Sequence, residues 1–341
     1  MLANRVRMRM TIAAAVLGLV CGIVMPFTSA RAEENVSVRM SWKLTGYHVI
    51  LYWAKAKGYY KAEGLNVDIK EGSGSSKTIN IIGGGHDDIG IADFMFMSAA
   101  AAKGMPVKGV FGIIQKSPWA VISHADKPIK TPQDLIGKSI AMTAGHKSLF
   151  DLMLAINHIP ADKIDIKITS PATRNTVFVN GNVDGFVSII IGTPLNLVVR
   201  AKEGKGKPIY FMPFCDFGVC PMGQGVITSD GVLKNRPDMI ARFNRATLRA
   251  IKDCLKPENV DEAVDIALKL SGTPTSRREA IKLGWLESIP RLQTENDKGQ
   301  PLGWMSEKDW NTSIEILEKT KKIDKPFSAK ELYTNKFVPN G

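Results

Sequence analysis

The chain has 341 residues, of which 44% are hydrophobic and 23% are charged, and its formal net charge at pH 7 is +12. This length is enough for two domains of ordinary size. The lysines and arginines are scattered and are not interleaved with aromatic residues, which argues against a nucleic-acid-binding surface. A mildly positive field favours anionic solutes or an anionic membrane surface without identifying either.

The N-terminus has the three parts of a secretory signal peptide. Three arginines form a positive segment, residues 12–25 are uncharged and mostly apolar, and Ala30-Arg31-Ala32 offers an A-x-A cleavage site. The apolar stretch is shorter than the roughly 20 residues that span a bilayer. Cys21 raises the alternative of a lipoprotein, but Gly18-Leu19-Val20 before it matches a lipobox poorly. We therefore expect residues 1–32 to be a signal peptide, cleaved after Ala32, and the protein to be exported to the periplasm.

Removal of residues 1–32 takes away four of the 45 basic residues and none of the 33 acidic ones, which leaves a net charge of +8. Three cysteines remain. Export permits a disulfide, and Cys215 and Cys220 could close a small loop or stay as free thiols. The odd count leaves at least one thiol, such as Cys254, outside intramolecular pairing. The sequence has no C-x-x-C pair and its histidines are dispersed, so we expect neither a metal site nor a cofactor.

From residue 36 onward, apolar strands alternate with helices. We predict strands at residues 36–42, 66–71, 89–92 and 107–114, and helices at residues 46–57 and 77–83 and in the alanine-rich stretch that ends at Lys103. The short loops between them are typical of a parallel α/β sheet, whose ligands bind at the carboxyl ends of the strands.

The same pattern returns after a predicted crossing at residues 117–121. Thr131 is a natural N-cap, followed by Pro132 and Asp134. We predict strands at residues 139–142 and 165–169 and within NGNVDGFVSII, and helices in residues 143–157, 173–180 and 194–203. A return crossing at residues 209–226 would lead to helices at residues 237–255, 260–271, 276–285 and 307–320 that wrap back on the first lobe. The expected divisions are 33–118 and 216–341 for the first lobe and 119–215 for the second.

Five stretches carry a family resemblance. They are GYHVILYWAKAKGYYKAEGLNVDIKEGSGSSKTINIIGGGHDDIGIAD from Gly46, IKTPQDLIGKSI, NGNVDGF, the region from Gly225 to Ala250, and PLGWMSEKDW. In order and spacing, the chain resembles the taurine, aliphatic-sulfonate, nitrate and thiamine-precursor binding proteins of bacterial ABC importers. The resemblance implies a two-lobed periplasmic binding protein fold of the second type, in which a mostly parallel sheet flanked by helices forms each lobe and the ligand cleft lies between the lobes.

The resemblance also implies the partners and the kind of ligand. We expect a monomer that delivers its solute to an inner-membrane permease and ATPase. The solute would be a planar heteroaromatic, such as a thiamine pyrimidine precursor, or an anion like sulfonate or nitrate. The alternative is an enzyme, because a eukaryotic branch of the family synthesises the thiamine pyrimidine. That branch carries a cysteine-rich iron-binding motif that FCDFGVC does not match, and the chain contains no G-x-S-x-G or H-E-x-x-H motif, so we expect no enzyme.

The best candidate for ligand contact is the loop GSGSS, with Gly74, Ser75 and Ser76. Glycines allow backbone N–H groups to approach a ligand, serines add hydroxyl groups, and the start of a helix favours a negative charge. An ordinary flexible loop is the alternative.

Side chains that follow other strands complete the candidate site. Trp42, Tyr47 and His48 come after the first strand, where an aromatic face or a ring nitrogen could meet the ligand. Packing of the tryptophan and a solvated histidine are the alternatives. Asp93 ends the third strand and could contact ligand, cap the next helix, or do both.

In the second lobe, the loop after the strand at residues 139–142 offers the hydroxyl of Thr143, next to Gly145 and His146; a solvated histidine is the alternative there. Near the two crossings, three further side chains could line the hinge side of the cleft: Gln115, Trp119 and Asp216.

Overall fold

Two five-stranded sheets form the body of the protein in the computed structural model, which describes residues 33–323 and 327–340. The predicted signal peptide lies outside the described residues. Among the described residues, the strands in chain order are β1 (Glu34–Arg39), β2 (Leu65–Lys70), β3 (Ile89–Asp93), β4 (Val107–Lys116), β5 (Trp119–His124), β6 (Ser139–Met142), β7 (Asp165–Ile168), β8 (Gly185–Ile189), β9 (Ile209–Pro213) and β10 (Met222–Ser229).

The α-helices of the described residues, in chain order, are α1 (Val49–Ala56), α2 (Tyr59–Ala62), α3 (Ser75–Gly83), α4 (Phe94–Ala101), α5 (Ala144–Ile156), α6 (Arg174–Val179), α7 (Leu195–Lys202), α8 (Asp230–Asn235), α9 (Pro237–Cys254), α10 (Pro257–Ser271), α11 (Arg278–Ser288), α12 (Glu307–Lys319) and α13 (Ala329–Leu332). A short 3-10 helix, Gly46–His48, precedes α1. None of the helices in the described part of the chain is both long enough and apolar enough to cross a bilayer.

The two sheets have equivalent topologies. The first has the strand order β2-β1-β3-β10-β4 and the second has the order β7-β6-β8-β5-β9. In each sheet four strands run parallel, and the fifth, β10 or β5, is antiparallel to both of its neighbours. The antiparallel strand is the one that arrives from the other sheet. This arrangement confirms the predicted two-lobed α/β class with mostly parallel sheets.

The chain passes between the sheets twice. It leaves β4 at Lys116 and enters β5 at Trp119, and it returns between Pro213 and Met222. A disulfide between Cys215 and Cys220 closes the turn at the return crossing. The division into lobes at residues 118 and 215 stays a prediction.

The predicted crossings were too broad, because parts of them are strands. Residues 119–124, 209–213 and 222–229 are β5, β9 and β10. In β10 the glycines are required by close neighbours: a Cβ on Gly225 would lie 2.3 Å from the ring of Phe94, and one on Gly223 would lie 2.3 Å from the carbonyl oxygen of Ile114. In the sequence Gly223 and Gly225 indicate a loop, but in the structure they allow close packing in the middle of a sheet.

The C-terminal helices bury large aromatic residues against both lobes. Helices α9 and α10 pack on α1, as the wrapping prediction requires, while α11 also contacts α7, and α12 contacts both α4 and α5. Trp285 and Trp310 are fully buried. Helix α11 touches the 3-10 helix backbone to backbone, since a Cβ on Gly46 would lie 2.0 Å from the carbonyl carbon of Gly284. These helices hold the cleft-facing loops of the first lobe in place.

Candidate ligand-binding cleft

A cavity of about 130 Å³ lies where the carboxyl ends of strands from both sheets face each other. The first lobe and the return strand contribute loop residues and strand ends, namely Ser41, Trp42, Thr45, Tyr47, Gly74, Ser75, Asp93, Phe96 and Gln224. The residues from the second lobe are Trp119, His146, Pro171, Arg174, Ser188, Ile189, Gly192 and Thr193. The cavity is at the position that α/β sheets use for ligands.

The structure brings most of the predicted site residues to this cavity. Those that line it are Trp42, Tyr47, Gly74, Ser75, Asp93 and Trp119. Ser76 lines an adjoining cavity instead. The lining of the cleft cavity does not include His48, Gln115, Thr143 or Asp216. Contact of any of these residues with a ligand stays a prediction.

His48 lies beneath the cleft and is fully buried. Its Nδ1 accepts from the backbone N–H of Thr45 at 3.3 Å, so its Nε2 carries the proton and faces the Ser41 hydroxyl at 3.4 Å. Burial lowers the pKa of His48 to about 3. The ring is therefore neutral and holds together the loop after β1.

The floor of the cavity is a buried polar network. The hydroxyl of Tyr47 donates to Oε1 of Gln224 at 2.5 Å and lies 2.7 Å from the hydroxyl of Ser41. Burial is the main cause that raises the pKa of Tyr47. Gln224 is on β10, so this network ties the loop after β1 to the antiparallel strand.

Three further predicted site residues, Gln115, Asp216 and Thr143, lie outside the lining of the cleft cavity. The Gln115 amide is buried and donates to Oδ2 of Asp297 at 2.5 Å and to the carbonyl of Leu292 at 3.2 Å. Asp216 is exposed on the disulfide-closed turn. Thr143 precedes α5 and is partly buried.

Asp93 is the only carboxyl group among the described residues that line the cleft. It caps α4 as the sequence suggests, because Oδ1 accepts from the backbone N–H of Met95 at 2.9 Å. Oδ2 accepts from the indole Nε1 of Trp119 at 3.3 Å. Burial raises the pKa of Asp93 to about 7, and the two hydrogen bonds, which favour the carboxylate, reduce this rise. The group can therefore exist in either protonation state near neutral pH.

Arg174 is the functional candidate that the sequence analysis missed. Its side chain is buried, yet no carboxylate of the described residues forms an ion pair with it. Nη2 donates to the Ser188 hydroxyl at 2.8 Å, Nη1 faces Nδ1 of His146 at 3.4 Å, and Nε has no partner. Burial lowers its pKa to about 10, so it is charged at neutral pH. A buried guanidinium without a carboxylate partner is costly unless another acceptor balances its charge.

One signal in the sequence could have identified Arg174. It is the first residue of α6, directly after β7 and its loop. A helix start favours acidic side chains and disfavours cations. An arginine at that position in a predicted βα unit is therefore unusual and points to a role in the cleft.

Several helix starts converge on the cavity. Helices α3, α5 and α6 begin at or beside Ser75, Gly145 and Arg174, which are near or on its lining. The positive ends of the two longer helices, α3 and α5, add to the guanidinium charge. Because Asp93 is protonated for part of the time at neutral pH, the site favours a ligand that is rich in hydrogen-bond acceptors.

Three rings form one wall of the cleft, which we call the aromatic wall: Phe96, Trp119 and His146. The centroids of Trp119 and His146 lie 4.4 Å apart, and Phe96 is 6.4 Å from Trp119 and 6.3 Å from His146. Burial, with a smaller effect of Arg174, lowers the pKa of His146 to about 3. The wall therefore presents uncharged ring surface to a ligand.

The model of the NMT1/THI5-like family matches residues 45–260, which include all the residues that line the cleft except Ser41 and Trp42. The chain belongs to the NMT1/THI5-like family. This result confirms the resemblance found in the sequence.

Curated proteins that resemble the chain include binding proteins and enzymes. The riboflavin-binding protein RibY of Chloroflexus aurantiacus is 24% identical over 323 residues, covering 90% of this chain and 87% of that protein. The 4-amino-5-hydroxymethyl-2-methylpyrimidine phosphate synthase of Legionella pneumophila is 23% identical over 317 residues, covering 90% of this chain and 93% of that protein.

The solved structures show the fold. The periplasmic aliphatic sulphonate binding protein SsuA of Escherichia coli superposes with a TM-score of 0.65 at 15% identity, over 90% of this chain and 99% of that chain. The family member described here therefore has the periplasmic binding protein fold. Its described residues bring together no group of three His, Cys, Asp or Glu side chains that could hold a metal ion.

Proposed function

We propose that this protein is the solute-capturing component of a bacterial ABC importer. It binds a small, acceptor-rich solute between its two lobes and releases it chemically unchanged. The observation that carries the proposal is the buried guanidinium of Arg174, which lines the cleft and has no carboxylate partner among the described residues. A ligand oxygen or ring nitrogen supplies the missing acceptor.

The solute is a planar heteroaromatic that carries anionic or carbonyl acceptors. A cavity of about 130 Å³ has the size for a single aromatic ring, since an apolar cavity of about 150 Å³ holds benzene. The aromatic wall supplies a face for the ring. Arg174 donates to its acceptors, and Asp93 can accept from an exocyclic amino group. The riboflavin-binding relative and the pyrimidine synthase relative support this class.

A sulfonate- or nitrate-like anion is the second candidate solute. The convergence of the starts of α3 and α5 with Arg174 favours it, and the fold neighbour SsuA binds aliphatic sulphonates. The aromatic wall favours the planar solute over the anion, because a small anion would leave this ring surface without a partner.

Capture is reversible and acts through the hinge. The two passages between the sheets let the lobes move as units, and the cleft takes residues from both of them. A solute that touches both lobes binds the closed form more tightly than the open form and shifts the population toward it. An inner-membrane permease and ATPase then receive the solute from a periplasmic protein that begins at Glu33.

A thermal-shift panel tests the proposal. The panel contains riboflavin, 4-amino-5-hydroxymethyl-2-methylpyrimidine, ethanesulfonate and nitrate. We expect a planar heteroaromatic to raise the melting temperature, because a ligand that binds the native state stabilises it by mass action. Mass spectrometry should recover that compound unchanged. If only nitrate or ethanesulfonate stabilises the protein, the solute is an anion instead.

The enzyme remains the alternative function, favoured by the likeness to the Legionella pneumophila synthase along 90% of this chain. The same experiment decides between the two. A panel compound that returns with a changed mass, in an amount that grows with incubation time, would show that the chain catalyses a reaction.

A further inference from the structure

A second cavity, which we call the side chamber, adjoins the cleft. Its volume is about 320 Å³, more than twice that of the cleft cavity. The two cavities share Asp93 and all three residues of the aromatic wall. The side chamber therefore lies directly behind the wall against which the proposed ring would pack.

The lining of the side chamber is mainly apolar and comes from both lobes and from α12. Six of its residues are Ile79, Met95, Ala99, Leu149, Ile316 and Leu317. Helix α12 packs against α4 and α5 and roofs the chamber. Two exposed lysines, Lys103 and Lys322, mark its mouth. An apolar chamber of this size gains free energy when an apolar group replaces the water in it.

Of the three rings in the aromatic wall, Phe96 lies farthest from its neighbours. Trp119 is buried and its indole is held by Asp93, but Phe96 and His146 are only partly buried. The ring of Phe96 lies more than 6 Å, centroid to centroid, from either neighbour. A change of the Phe96 rotamer would therefore separate no close ring pair, and it is the movement that would join the cleft to the chamber.

We propose that the side chamber binds an apolar arm of the solute whose ring occupies the cleft. This inference rests on the proposed function and narrows it: the cleft alone has room for one ring, whereas the chamber has room for a further ring or an alkyl chain. The polar end of the solute stays at Arg174. The arm passes Phe96 and packs on α4, α5 and α12, so that its burial also links the two lobes.

A neutral probe tests the chamber without relying on Arg174. Benzene is titrated into the chain from residue 33 while methyl NMR signals are followed. We expect saturable shifts at Leu149, Ile316 and Leu317, and none at the core residue Ile251 on α9. Ala99→Leu or Leu149→Phe, which fill the chamber from opposite sides, should weaken at least tenfold the benzene binding that the methyl groups of Ile316 and Leu317 report. Ala62→Leu, at an exposed position of α2, is the matched control.

A second titration tests the link to the cleft. Benzenesulfonate, 4-ethylbenzenesulfonate and 4-butylbenzenesulfonate share one ring and one anionic group and differ in the arm. We expect affinity to rise about fourfold for each buried methylene, and Ala99→Leu to remove that gain.

The outcomes separate the two proposals. Failure of benzene to bind, or an affinity that is independent of arm length, overturns the chamber while leaving solute capture in place. If no sulfonate binds although benzene shifts the chamber methyls, the acceptor site at Arg174 fails and the arm proposal fails with it.

Discussion

The indole Nε1 of Trp119 donates to Oδ2 of Asp93 at 3.3 Å, which joins the first strand of the second lobe to the end of β3 in the first lobe. The same carboxyl group caps α4 through Met95. One buried acid thus links the two lobes, starts a helix and faces the cleft. Its protonation state affects the stability of the fold.

Asp93→Asn should change how stability depends on pH. Burial raises the pKa of Asp93 from 3.8 to about 7. Between these values the native state holds a proton that the unfolded state has lost, so this group makes the wild-type protein less stable as pH rises, by up to about 1.4 kcal/mol per pH unit. Above about pH 7 the effect is constant. The asparagine removes this dependence and can still accept from Met95.

The measurement is urea unfolding of both proteins at pH 5 and pH 8. The difference between wild type and variant cancels the contributions of other groups. The variant should gain stability relative to wild type as pH rises. A difference that is the same at both pH values would mean that the pKa of Asp93 is not raised. Asp216→Asn, at an exposed position, is the control.

Arg174→Met should weaken solute binding strongly while changing stability little. Loss of hydrogen bonds from a charged donor costs about 1.5–3 kcal/mol, which is roughly 10- to 150-fold in affinity. The variant leaves the Ser188 hydroxyl without its partner, but it also removes a buried charge that no carboxylate of the described residues balances, so the two effects on unfolding oppose each other. Calorimetric titration and thermal melting measure the two quantities.

Arg200→Met is the matched control, because Arg200 is exposed on α7 and lies outside the cleft lining. It removes the same charge and should leave affinity unchanged. If both variants lose affinity equally, the effect comes from net charge. A collapse of stability only in Arg174→Met would indicate a structural role for Arg174.

His48→Asn should make the protein less sensitive to acid. Burial lowers the pKa of His48 from 6.5 to about 3. Its stabilising contribution is therefore fully present above about pH 6.5 and is lost as pH falls toward 3, by up to about 1.4 kcal/mol per pH unit. Asparagine can accept from Thr45 without binding a proton. Urea unfolding at pH 7 and pH 4.5 should show a smaller loss in the variant, and exposed His86→Asn should behave like wild type.

The chain from residue 33 should contain one free thiol and one disulfide. Cys215 and Cys220 are joined, while Cys254 is buried and burial raises its pKa to about 12. Iodoacetamide should label no cysteine in the native protein, one in guanidinium chloride, and three after reduction. Labelling of three cysteines in guanidinium chloride without a reductant would show that the bridge does not form.

Local signals in the sequence predicted much of the fold. The apolar runs and short loops of residues 66–114 predicted β2 to β4 with their helices, and the Asp93 cap is a local effect. At Thr131 the predicted N-cap is present, since Asp134 accepts from its backbone N–H at 2.9 Å. These features depend on neighbours a few residues away, which is why a single sequence shows them.

Features that depend on distant neighbours were missed. Strand β10 pairs with β3 and β4, which are more than a hundred residues earlier in the chain. Its glycines are typical of a loop when only the sequence is considered. The ring of Phe94, which leaves no room for a side chain at Gly225, is distant in sequence. For Arg174, the sequence shows its charge but not that it is buried without a carboxylate partner. In both cases the deciding feature depends on which residues are neighbours in the folded chain, and a single sequence does not show this.

Analysis of the solute that copurifies with the protein tests the central claim most directly. The wild-type protein and Arg174→Met are isolated from the periplasm under native conditions, and bound small molecules are released by denaturation and identified by mass spectrometry. We predict one acceptor-rich heteroaromatic solute, about one molecule per wild-type chain, and its loss from the variant. Recovery of the same solute from Arg174→Met in equal amount, or of no solute from either protein after incubation with the periplasmic extract, would contradict capture at this cleft.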